Sequence, residues 1–330
     1  MKVYYDHESV RLTGRWDISD PKCATTTNTG SYVEFSFEGK TALAIFNTEG
    51  TIQPCPHLWV QLDGGAMTEA CVDDYIRVCA VEDGIHTCRI IFKGAVENFR
   101  RWFAPLESKV SFVGFIADKP TRIAPDNRRT IEFVGDSITE GVLIDQKYHG
   151  DDAEPKYLIS MLNRCYQDDA CATYAWLTAE KLNLRPIVMG YGAVGATRGG
   201  QGMVPCASEA YPFNYDGSPL TRPSPDFILI NHGANDRRQD IETYLKGYEK
   251  LLDVIRQSNP NSKIISLSAF CGYAHVELGK FISEYNEKHG TDISYIDGSY
   301  WVPVEPLHPA RDGHMAIAKG LAPILEKIIG

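Results

Sequence analysis

Nothing in this sequence approaches the ~18 consecutive apolar residues of a membrane-spanning helix. The opening stretch, MKVYYDHESVRLTGRW, also lacks the apolar core of a secretory leader. The expectation from both absences is a soluble protein located in the cytoplasm. Basic runs are missing too. The net charge is −10 and the pI about 5.4, so neither nucleic acid nor an anionic membrane is an expected partner. Among the nine cysteines (23, 55, 71, 79, 88, 165, 171, 206 and 271) no pair has C-x-x-C spacing, which argues against a cysteine-based zinc or redox site. An odd number at irregular spacing suits reduced thiols, and the expectation for them is burial as structural residues. No internal repeat or low-complexity tract is present.

What is there fills two domains: 330 residues, 43% of them hydrophobic, suffice for a sizeable core in each. Residues 1–118 read as all-β. Val33, Phe35 and Phe37 alternate with Glu34 and Ser36, the period of a half-buried strand. ALAIF (42–46), LWVQLDGG (58–65), YIRVCA (75–80), IHTCRIIFKG (85–94) and VSFVGF (110–115) continue the pattern between Gly, Asp and Asn clusters. Many short strands of this kind predict an antiparallel sandwich or jelly roll. The polar stretch KPTRIAPDNRR, 119–129, with two prolines, is the expected linker.

From residue 130 to 330 strands alternate with helices. Strands are predicted at 131–134, 186–190, 226–230, 263–267 and 292–296, and helices at 171–183, 241–257, 277–288 and 312–328. In the second helix Ile241, Leu245, Tyr248, Leu252 and Ile255 share one face. This order predicts an α/β domain with a parallel sheet covered by helices on both sides. A polar insertion, about 144–170, interrupts it.

Four segments carry candidate chemistry. In IEFVGDSITEG (131–141) a buried strand runs into Gly135, Asp136 and Ser137, which places the serine at the carboxyl edge of the sheet, where open α/β folds hold ligands. Capping a helix is the plainer role for such a serine. MGYGAVGATRGG (189–200) contains Gly190, Gly192 and Gly195 at the spacing of a dinucleotide fingerprint. The chain then continues into TRGGQGMVP instead of a helix, which weighs against that reading. A backbone amide that must approach a reacting group closely is the alternative. INHGANDRR (230–238) supplies Asn235, whose NH₂ can donate to an oxyanion, and Asp236, which suits a helix cap. EPLHPARDGH (305–314) supplies Glu305 and His308, a carboxylate and an imidazole able to serve as general base for Ser137. His314, at a helix start, reads as structural.

Taken in order, GDSIT (135–139), AVGAT (193–197), GAND (233–236) and EPLH (305–308) resemble the four blocks of the SGNH (GDSL-type) hydrolases. The resemblance implies a flavodoxin-like three-layer α/β/α domain. It also implies Ser137 as nucleophile, His308 as base, and an oxyanion hole built from the Ser137 amide, the Gly195 amide (Gly192 as runner-up) and the Asn235 side chain. Glu305 stands where the family usually has Asp. Either its longer side chain orients His308, or the enzyme works as a dyad, or Asp297 or Asp312 supplies the carboxylate. RLTGRW near the start, GIHTCRIIFKG and TYAWLTAEKL extend the similarity to carbohydrate esterase family two. That similarity implies a jelly-roll domain packed on the hydrolase and removal of acetyl groups from plant-polysaccharide (xylan or mannan type) oligosaccharides, without metal or organic cofactor. Trp301, Tyr191 and Trp176 are candidate sugar-stacking residues, each also suited to a core. The rival readings are an esterase for longer acyl chains, of lipase or thioesterase type, and a non-catalytic carbohydrate-binding protein. The sugar, the acetylated position and the oligomeric state are not legible.

Overall fold

A computed structural model describes residues 1–145, 164–304 and 306–330. Its first part is an antiparallel β-structure of nine strands: β1 (Lys2–Tyr4), β2 (Val10–Thr13), β3 (Ala24–Thr26), β4 (Tyr32–Phe46), β5 (His57–Leu62), β6 (Met67–Cys71), β7 (Tyr75–Cys79), β8 (Ile85–Gly94) and β9 (Val110–Pro120). The two alternating runs expected at 33–37 and 42–46 form one 15-residue strand, β4. Its first half pairs with β2 and β8, its second half with β7 and β9, and the register shifts between Glu38 and Ala42. A strand that changes partners midway turns the corner between two layers. Val33, Phe35, Phe37, Ala44, Leu58, Ile90, Phe92, Phe112 and Phe115 fill the space between. Strand β9 runs to Pro120, so only 121–129 of the expected linker is irregular.

The second part is the expected parallel sheet. After β10 (Thr130–Gly135) come α1 (Ser137–Glu140), α2 (Arg164–Gln167), α3 (Tyr174–Lys181), β11 (Arg185–Gly190), α4 (Ala207–Ala210) and a small hairpin, β12 (Phe213–Tyr215) with β13 (Ser218–Pro219). Then follow β14 (Phe227–Asn231), α5 (Ile241–Ser258), β15 (Lys263–Leu267), α6 (His275–His289), β16 (Ser294–Ile296) and α7 (Arg311–Ile329). The sheet order is β11-β10-β14-β15-β16, with every pair parallel. Ile131, Phe133, Leu229, Ile265 and Leu267 pack against α3 and α7. Val134, Ile228 and Ile230 pack against α5 and α6 on the opposite face. Three layers result, because strands buried on both faces need helices on both. The buried stripe of α5 is Tyr244, Tyr248, Leu251, Leu252 and Ile255, while Ile241 is exposed. Each fully buried Leu or Ile there contributes about 1.5–3 kcal/mol. Asp240 caps the helix by accepting the Thr243 amide at 2.8 Å.

Buried polar groups join the two parts. Arg15, from RLTGRW, donates to Glu132 of strand β10 at 2.9 Å, with no exposure of either side chain. The same guanidinium also donates to the carbonyls of Tyr211 and Phe213. Tyr191 shares its hydroxyl with Thr27 and Asn28 of the β-layers, at 2.9 Å each. Most of the polar insertion, 146–163, lies outside the described residues.

Candidate active site

Strand β10 ends at Gly135, and the chain turns at Asp136 into α1. Asp136 is the N-cap, and its Oδ1 accepts the Ile138 amide at 3.0 Å. Ser137 is therefore the first helical residue, with an amide that has no acceptor within its helix and the dipole's positive end behind it. The helix stops after one turn at Gly141. Two contacts from the β-layers hold it: Thr29 Oγ1 donates to the Glu140 carbonyl at 3.1 Å, and Arg101 pairs with the Glu140 carboxylate in full burial.

The last loop brings His308 to the serine. His308 Nε2 lies 2.8 Å from Ser137 Oγ. Burial, with help from Arg164 and Arg237, lowers the His308 pKa to about 4. The imidazole is thus neutral near pH 7, and as the Nδ1–H tautomer it accepts the serine proton at Nε2. A neutral base at hydrogen-bond distance from a hydroxyl at a helix start is the arrangement that activates a serine for attack on a carbonyl.

Asn235 stands beside Asp136. Its Nδ2 donates to Asp136 Oδ2 at 3.2 Å and to the Val194 carbonyl at 3.0 Å. Both amide protons thus have acceptors, and an oxyanion would compete with the Val194 carbonyl for one of them. Burial pushes the Asp136 carboxyl up to about 7, with Asp236 adding to the rise.

The glycine loop departs from expectation. The Gly195 amide, expected to face an oxyanion, donates instead to the Arg198 carbonyl at 2.9 Å. Glycine is needed at 195 for another reason: a Cβ there would lie 2.7 Å from both carboxylate oxygens of Asp236. Asp236, expected as a helix cap, is fully buried. It accepts the Ala196 amide at 3.0 Å, the Thr197 amide at 2.9 Å and the Thr197 hydroxyl at 2.6 Å. The cap of α5 is Asp240, four residues later. A Cβ on Gly192 would collide with the Glu97 carboxylate. No α-helix opens after Gly195 until Ala207, so the dinucleotide spacing has no helix to serve it.

Two of the aromatic candidates are corrected by burial. Tyr191 is 1% and Trp176 3% exposed, so neither can offer a ring face to a sugar. Tyr191 ties the two parts together, and Trp176 packs edge-on against Tyr32 and donates to Glu180. Trp301 is half-buried against Phe270 and the core under α7. His314 is structural in geometry: it is buried, stacks on Tyr174 and accepts the Tyr174 amide at 3.0 Å. Asp297, one of the two alternative carboxylates to Glu305, pairs with His275 at 3.1 Å. Glu305 itself lies outside the described residues.

Sequence reasoning missed the clamp made by Asp236, the second acceptor oxygen of Asp136 and the Arg101–Glu140 tether. For Asp236 a signal existed. Asp240 followed by Thr243 is the better cap, which leaves the earlier aspartate free for the loop. The other two depend on contacts between distant segments and left no local trace.

The chain is 25% identical over 225 residues to an acetylxylan esterase / glucomannan deacetylase of Cellvibrio japonicus, a match covering 64% of this chain and 59% of that protein. This chain therefore aligns with less than two thirds of that relative's length. A family two carbohydrate esterase from Cellvibrio japonicus has a similar structure, with a TM-score of 0.80 at 20% identity over 100% of this chain and 98% of that one. A family two carbohydrate esterase from Clostridium thermocellum, solved in complex with cellohexaose, has a TM-score of 0.78 at 20% identity over 97% and 99% of the two chains. Both share the arrangement of a β-sandwich before a three-layer domain. Residues 133–318, more than half of the chain, match the GDSL-like Lipase/Acylhydrolase family, and the chain belongs to that family.

Proposed function

We propose that this protein is a serine esterase that removes O-acetyl groups from xylan- or mannan-type oligosaccharides. The observation that carries the reading is the 2.8 Å contact between His308 Nε2 and Ser137 Oγ at the start of α1. Ser137 attacks the ester carbonyl while His308 takes its proton. His308 then returns that proton to the departing sugar oxygen, leaving acetyl-Ser137. Water, deprotonated by the same imidazole, releases acetate and restores the serine. The Ser137 amide and the Asn235 side chain stabilise the oxyanion. The Gly195 amide joins them only on releasing the Arg198 carbonyl.

We assign Glu305 the orientation of His308 through Nδ1. On this assignment Glu305→Ala lowers kcat, though by less than His308→Ala does, and an unchanged kcat would leave a Ser–His dyad.

The acetyl preference rests on the named relative and on the polar sequence at 144–157. Where an apolar acyl channel exists, each buried CH₂ adds about 0.8 kcal/mol, so an esterase for long chains gains in kcat/KM from acetyl to octanoyl. For this protein kcat/KM should fall along p-nitrophenyl esters from C2 to C8. A rise would overturn the acetyl reading and leave the serine chemistry standing.

A further inference from the structure

The β-layers hold a second group of reactive side chains, with no hydrogen bond to Ser137 or His308. Cys71 ends β6, and His57 begins β5 directly opposite it in the antiparallel pair. Cys71 Sγ lies 3.2 Å from His57 Nε2, and His57 Nδ1 lies 2.6 Å from Glu69 Oε1. Lys93 Nζ, 3.1 Å from the same carboxylate oxygen, fixes Glu69 from β8. Tyr166 closes the other side, edge-on to the imidazole with ring centroids 4.4 Å apart. The histidine is buried and the cysteine exposed. Cys71 opens on a cleft of about 730 Å³ that also presents Cys55, Asp73, Tyr75 and Arg77. Among the described residues, strand β6 is the edge of its sheet, with no further strand beside it.

The three groups are ordered for proton transfer. Glu69 is held as a carboxylate by the contacts with His57 and Lys93, which outweigh its desolvation. It therefore accepts a hydrogen bond from Nδ1–H, and the lone pair of Nε2 faces the thiol. Burial keeps the imidazole neutral despite the pull of Glu69.

We propose that Cys71, His57 and Glu69 form a second nucleophilic site, a base-activated thiol that exchanges with low-molecular-weight disulfides. The Cys71 S–H gives its proton to His57 Nε2, and the sulfur attacks one sulfur of the disulfide RSSR. The S–S bond breaks as the Cys71–SR bond forms. The departing RS⁻ takes the proton from His57 and leaves as RSH. One disulfide is consumed, one mixed disulfide is made, and no other oxidant is required.

Cys79 is an internal control. It is also exposed, on β7, yet has no imidazole within hydrogen-bond distance among the described residues. The test is the rate of mixed-disulfide formation with oxidised glutathione at pH 7, followed at each cysteine by peptide mass spectrometry on the folded full chain. Cys71 should react at least about tenfold faster than Cys79. Glu69→Gln and His57→Gln should each bring the Cys71 rate close to that of Cys79, and Ser137→Ala should leave it unchanged. The comparison of the two thiols in the unaltered protein needs no variant to fold. Equal rates there, or a Cys71 rate that neither the Glu69 nor the His57 substitution moves, would overturn the proposal. A failure of the esterase reading would leave this result untouched.

Discussion

Arg15 and Glu132 form an ion pair at 2.9 Å in which neither side chain is exposed. One partner comes from a loop of the β-layers and the other from strand β10 of the parallel sheet, four residues before the turn at Asp136 that leads into Ser137. Arg222 and the Tyr211 hydroxyl also bind Glu132. Breaking a buried pair by removing one partner strands the other charge, at a cost of about 3–5 kcal/mol. Arg15→Ala should therefore lower the thermal midpoint by several degrees and weaken the docking of the two parts. Arg15→Ala with an unchanged midpoint, measured by calorimetry, would show that Arg222 alone satisfies Glu132.

The proposed oxyanion hole makes a kinetic prediction. Asn235→Ala should lower kcat by about 10²–10³ with KM little changed, because the donor acts on charge that develops in the transition state. Steady-state kinetics on p-nitrophenyl acetate decide it. A loss confined to KM would make Asn235 a substrate-binding group.

The pH dependence has two parts with different owners. The base works only when neutral, and His308 is held at about 4. Activity should persist at pH 5–6, where an ordinary imidazole is largely protonated, and should vanish as the pH falls through about 4. A shallower change near 7 belongs to Asp136, whose carboxylate form binds Asn235 more strongly. Asp136→Asn should abolish the step near 7 and leave the loss near 4. A kcat/KM profile whose main acid limb sits at 6.5 in both proteins would contradict this assignment.

Much of the fold was legible because its signals are local. The alternation of Val33, Phe35 and Phe37 and the apolar runs of the parallel strands predicted the elements to within a few residues. The order of strand and helix predicted the three layers. Some elements were misread where one local rule met a contact from elsewhere. Ile241 satisfies helical spacing yet is exposed, because Tyr244 takes the inner position. Asp236 satisfies the composition of a cap yet is captured by the glycine loop. Tyr191 and Trp176 are aromatic residues near the motifs, but sequence carries no record of which ring face is covered. Ser137 and His308 stood out as candidates because chemistry restricts which residue types can serve at a sheet edge, and the structure brings the two to 2.8 Å. The Cys71–His57–Glu69 group escaped because its members match no spacing and meet only through strand register.

The most direct test of the account is acetate released from acetylated xylo-oligosaccharides by the unaltered protein and by Ser137→Ala. The unaltered protein should release acetate, and the variant, still folded, should be slower by about 10⁴-fold. Release by Ser137→Ala at close to the unaltered rate would contradict the serine mechanism, and no release by either protein would contradict the proposed substrate.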